Sequence, residues 1–110
     1  MSQTSYPAWY RHLQEKHGRF MKALEELGQA VRQEGPLPAP TAHLIQLAAA
    51  AAIRSEGAVH SHTRRALEAG ATPADIYHTL ILLTSTIGFP TVSAALSWAS
   101  QTIAGAAKEG

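Results

Sequence analysis

Three residues able to move protons crowd one short stretch of this 110-residue chain: Glu56, His60 and His62. An imidazole changes charge near neutral pH and a carboxylate complements it, so the set suits general acid and base work. Spacing sorts them. On one continuous helix Glu56 and His60, four apart, share a face, whereas Ser55, Ala58, Val59 and His62 share another. A bend at Gly57 would turn Glu56 toward His62, and a site built from His62 and Glu56 rests on that bend. The plainer readings are a His62 hydrogen-bonded in the core or at a subunit contact, and a Glu56 that meets backbone amides beside a helix break. His60 reads as structural, because His60 and His62 diverge on a helix and a His-x-His metal pair needs a strand or loop. His12 and His17 read as surface or interface residues, and His78 is assigned no catalytic part.

Other chemistries are excluded by composition. The chain has no cysteine, so it has no disulfide, no thiolate ligand and no thiol redox couple. Its formal net charge is +1 and its basic residues are scattered, which argues against a nucleic acid partner. ALEAGATPADI has the spacing of a helix-turn-helix, yet the would-be recognition helix from Pro73 to Ile87 carries no Arg or Lys for phosphate contacts. No run approaches the roughly 18 apolar residues of a bilayer-spanning helix, and Met1 to Tyr10 lacks a leader pattern. A soluble, cytoplasmic protein without a membrane partner is expected.

The elements that must position these residues are all helical, about five of them in a single domain over 1–110; period-two alternation is absent. A first stripe runs Tyr10, Leu13, His17, Phe20, Leu24, Leu27 and Val31 after Pro7, and the proline-rich Glu34–Pro40 is a connector. Thr41 is expected to cap a central helix to about Arg54, apolar on nearly every side and therefore the most buried. Gly57 interrupts the pattern, so a break or kink is expected near Ser55–Gly57 before a third helix over about Ala58–Ala69, stopped by Gly70. Thr72, Pro73 and Asp75 spell the start of a fourth, reaching Ile87. Gly88 and Pro90 separate it from a fifth, with the stripe Val92, Ala95, Leu96, Ala99 and Ile103, which frays after Ala104. Trp9 and Trp98 suit either an interface or the core.

Thr41-Ala42-His43-Leu44-Ile45, Glu56-Gly57 with His62-Thr63, the run Ala66 to Thr72, Ile76 and Gly88-Phe89-Pro90 follow one another over residues 41–90. In that order they resemble the carboxymuconolactone decarboxylase and alkylhydroperoxidase D superfamily. In its peroxidase branch a Cys-x-x-Cys pair lies seven and four residues before the histidine, where this chain has Ser55 and Ala58. An alcohol and a methyl group cannot cycle through a disulfide, so the resemblance does not carry thiol peroxidase chemistry here. The decarboxylase branch lacks the dithiol and has a Glu-Gly pair before the histidine, as in Glu56-Gly57 and His62.

The resemblance implies loss of carbon dioxide from a lactone acid, with proton transfer as the protein's task. It also brings in His43, which stands where the family often has an acid, so a copied relay does not fit. His43, Glu56 and His62 would form an acid and base set, or equally a metal site for zinc or iron. No cofactor is expected and no metal is assigned. The partners implied are a small-molecule substrate, met by Arg54, Arg64 or Arg65 at a subunit boundary, and further copies of the chain as a homotrimer or homohexamer. The alternatives are a catalytically silent oligomeric scaffold and a peroxide-linked protein acting with a partner's thiol, which this chain's own residues do not support.

Overall fold

The computed structural model describes residues 7–109, and all its elements are helices. The chain divides into two compact units, Met1–Pro36 and Leu37–Gly110. In the first, the continuous stripe of the sequence is broken into α1 (Ala8–Lys16) and α2 (Gly18–Gln33). His17 leaves the helical region at φ −135° and ψ 54°, next to a glycine that gives the following turn little helix propensity. Met21 is the buried residue of α2, while Phe20, Leu24, Leu27 and Val31 stand exposed along an adjoining stripe. Trp9 is exposed as well, and its ring stacks on His12.

The second unit begins with α3 (Ala39–Ala52), which starts earlier than Thr41. Pro40 fits the first turn because the N–H it lacks would have no partner there, and extended Pro38 becomes the cap. The helix is also not buried on every side: His43, Leu47, Ala50 and Ala51 face inward, while Ile45 and, just past the helix, Ile53 are exposed. Its end corrects the expected bend. The chain turns at Arg54, just before the Ser55–Gly57 stretch where the break is expected, and does not bend at Gly57: Ser55 N–H reaches Ala50 O and Arg54 N–H reaches Ala51 O, the paired closure that needs a left-handed residue. Arg54 supplies it at φ 56°. Gly57 falls inside the first turn of α4 (Glu56–Glu68), which is therefore helical from Glu56 onward. The same closure ends α4, with Gly70 at φ 109° in the left-handed position.

α5 (Pro73–Leu82) opens on the expected capping box: Asp75 N–H donates to Thr72 Oγ1 (3.1 Å) and Thr72 N–H donates to Asp75 Oδ2 (2.9 Å). It stops short of Ile87 at Leu83, and a one-turn α6 (Thr84–Ile87) follows, its first hydroxyl bonded back to Ile81 O. Gly88 at φ 91° then lets α7 (Phe89–Glu109) begin, and this helix continues through residues 104–109 instead of fraying. The core lies where α3, α4, α5 and α7 meet. Leu47, Val59, Ile76 and Leu80 fill it, and Ala50, Ala51, Ala66, Ala95 and Ala99 let the helices approach closely. Trp98 packs partly buried against it.

The hydrogen bonds from Thr72 hold the Asp75 carboxyl below its ordinary pKa, the backbone one most strongly. A lowered carboxylate pKa contributes stability above the ordinary carboxylate range that is lost as pH falls through the lowered value. Thr72→Ala should destabilise by about 1 kcal/mol at neutral pH. Asp75→Asn should destabilise at neutral pH and converge on the native protein in acid, as read by urea denaturation at both pH values.

Candidate functional site

α4 carries a buried stripe, Val59, Thr63 and Ala66, flanked by two polar edges. Each residue advances about 100° around a helix, so His60 and His62 fall on opposite sides of that stripe. With no bend at Gly57, Glu56 keeps helical register and stays on the His60 side. The helix itself decides which residues meet.

On one edge, His62 meets His43 from α3. Their ring centroids are 5.8 Å apart and the planes are tilted by 37°. His43 is 6% exposed, and Nδ1 of both rings is buried. One turn beyond His43 on the same side of α3 stands Gln46, whose Oε1 is buried without a hydrogen-bond partner. A buried acceptor left unmet costs about 1–3 kcal/mol, which marks a place for a donor from water or a ligand. Gln46 belongs to no motif of the sequence, and its one signal there is that it is the single polar residue between Leu44 and Ile53. Thr63, next to His62 in the chain, is fully buried and its hydroxyl is unpartnered too.

On the other edge, Glu56 turns to His60 and does not join His62. Glu56 Oε2 lies 3.3 Å from His60 Nε2, and His60 Nδ1 lies 2.6 Å from Thr102 Oγ1 on α7. His60, read from the sequence as structural, is thus the centre of a chain of three side chains joining α4 to α7. Thr102 lies 42 residues away, and nothing local in the sequence points to it. Among the described residues no three His, Asp or Glu side chains gather as metal ligands, so the combination of His43, His62 and Glu56 is not assembled as a metal centre.

Ser55 and Ala58, at the dithiol positions of the peroxidase branch, are half-buried at the start of α4; Ser55 is its N-cap residue and Ala58 packs on the core. The three arginines differ. Arg54 Nη2 donates to Thr91 Oγ1 at 2.7 Å, tying the α3–α4 turn to the first turn of α7. Arg64 and Arg65 are half-buried on α4. A concavity in the first unit is lined by His17, Arg19 and Phe20 among others and contains none of His43, Glu56 and His62.

The family model of the carboxymuconolactone decarboxylase family matches residues 18–101. The chain belongs to that family. A carboxymuconolactone decarboxylase family protein of known crystal structure, from Legionella pneumophila, superposes with a TM-score of 0.68 at 23% sequence identity, covering 82% of this chain and 80% of that one. At this identity the likeness speaks for the decarboxylase-family fold alone. No curated protein matches the sequence. The family assignment agrees with the resemblance read from residues 41–90 and extends it on both sides.

The turn that aligns the two edges is under strain, since a left-handed non-glycine residue costs about 1 kcal/mol. Arg54→Gly removes the strain and the bond to Thr91, whereas Arg54→Ala removes only the bond. Arg54→Ala should therefore be the less stable of the two by about 1 kcal/mol in chemical denaturation.

Proposed function

We propose that this chain binds a small carboxylated or lactone-bearing molecule at the His43–His62 pair and transfers a proton on it without an organic cofactor, as a lyase of the decarboxylase kind. The carrying observation is the meeting of two imidazoles from different helices at 5.8 Å, with His43 buried and His62 half-buried. In the step proposed, the carbon–carboxylate bond breaks and carbon dioxide leaves. The electron pair stays on the substrate carbon, and one ring, as imidazolium, donates its proton there. That ring regains a proton from water, and the second ring positions the substrate. Gln46 Oε1 is an acceptor for a substrate hydroxyl. Family membership supports the substrate class, and the absence of cysteine keeps thiol peroxide chemistry out.

Glu56 has no part in this proton transfer, since its carboxylate is engaged by His60. That engagement also favours a second reading, a family fold that holds no working acid and base set and serves as an oligomeric scaffold. Both readings take the chain to be a homo-oligomer, a trimer or hexamer. The exposed Phe20, Leu24, Leu27 and Val31 support this, because spacing of four, three and four is a seam that helices bury against one another.

A panel of lactone acids tests the choice, with turnover and thermal shift followed on native protein, His43→Ala, His62→Ala and Glu56→Gln. The proposed lyase predicts that at least one compound is turned over, that each histidine variant loses at least tenfold in rate, and that Glu56→Gln retains it. No turnover and no thermal shift with any compound would favour the scaffold.

A further inference from the structure

Three arginines are open by sequence as partners for a substrate carboxylate, and the fold separates them. We infer that Arg65 holds a carboxylate that the substrate keeps, at one end of the His43–His62 pair, while Gln46 brackets the pair from the other end. This role rests on the binding proposed for the ring pair and names the group that fixes the ligand there.

Rotation makes the first selection. Because α4 is helical from Glu56 to Glu68, Arg65, three residues past His62, lies about 60° from it around the axis and on the same edge. Arg64 lies about 160° from His62, on the edge of His60. Arg54 precedes the helix and donates to Thr91. Arg65 is half-buried, and among the described residues no hydrogen bond or ion pair engages its side chain.

Register makes the second. His43 stands seven residues before Ala50 and His62 seven after Ser55, and Ser55 N–H donates to Ala50 O. The two helices therefore run antiparallel in constant register from the turn to the ring pair. Gln46 is three residues past His43 on α3, and Arg65 is three past His62 on α4. They stand at opposite ends of the pair, about 9 Å apart along the seam. On any helix the Cα–Cβ bond tilts toward the N-terminus, so at both Gln46 and Arg65 it tilts toward the rings between them. Gln46 Oε1 is buried without a partner, so one end of this strip has an unmet acceptor and the other an unpaired cation.

Chemistry makes the third. A guanidinium presents a planar fork of N–H donors that matches a carboxylate, which an ammonium does not. A carboxylate that leaves as carbon dioxide gives up its charge, and a cation bound to it would stabilise the ground state more than the transition state. The carboxylate on Arg65 is therefore one that stays on the molecule, and the contact is equal in substrate, transition state and product. Uniform binding of this kind lowers KM and leaves kcat unchanged.

The probe is γ-butyrolactone-γ-carboxylate, a lactone acid, compared with its methyl ester and titrated into protein carrying ¹⁵N-labelled histidine. The ring nitrogens of His43 and His62 report occupancy of the site, and Arg65→Gln, Arg65→Lys and Arg64→Gln report which residue holds the carboxylate. The acid should shift both rings, with a Kd that rises about tenfold in Arg65→Gln, rises less in Arg65→Lys and is unchanged in Arg64→Gln. The ester should bind native protein and Arg65→Gln alike. Circular dichroism checks folding, and Arg65→Lys against Arg64→Gln carries the comparison if the glutamine variant at Arg65 does not fold. Ring shifts with a native Kd in Arg65→Gln would overturn the role of Arg65 and leave the ring-pair reading standing. Rings unmoved by tens of millimolar acid would overturn both.

Discussion

The tight closure between α3 and α4 is the constraint on which the second unit depends. Ala50 and Ala51 carbonyls accept the amides of Ser55 and Arg54, so α3 ends and α4 begins within a few residues and the chain folds back on itself. Such a turn demands a left-handed residue, and the chain uses an arginine where glycine would sit at lower cost. The guanidinium gives a reason for that choice. It reaches Thr91 and fastens the turn to the start of α7, a link no glycine can make. Local strain is exchanged for a tertiary tie, and the helix that leaves the turn has its rotation fixed from its first residue.

From that fixed rotation the placement of every polar group on α4 follows. Val59, Thr63 and Ala66 take the buried stripe, and alanines on α3 and α7 bring their neighbours close enough to exclude water. His62 then faces α3, where His43 is already buried, and His60 faces α7, where Thr102 stands. Glu56, His60 and His62, which lie within seven residues of sequence, are thereby assigned to separate edges. His43 is the buried member of the first group, and Glu56 the exposed member of the second.

Much of this was legible in the sequence where a local rule governs. Thr72, Pro73 and Asp75 announced α5 because a capping box is closed within four residues, and Gly70 and Gly88 marked stops because their backbone angles are rarely available to other residues. The pairing of Glu56 with His60 was visible as an i, i+4 spacing. A break near Ser55–Gly57 was legible too, but not that Arg54 takes the left-handed position, since the bond that it makes is to Thr91, 37 residues away. Thr102 was hidden for the same reason. The meeting of His43 with His62 came from family resemblance and not from spacing, because helix periodicity says which face a residue occupies but not which neighbouring helix covers it. The exposed stripe of α2 shows the converse: its period was plain, and nothing in the period said whether the chain itself would bury it.

The central claim is that α4 is helical from Glu56, so that His62 belongs with His43 and Glu56 with His60. Nuclear Overhauser contacts among selectively labelled histidine and glutamate side chains test it most directly. The account predicts ring-to-ring contacts between His43 and His62, together with contacts from Glu56 to His60. Contacts from Glu56 to His62, with none between the His43 and His62 rings, would contradict it.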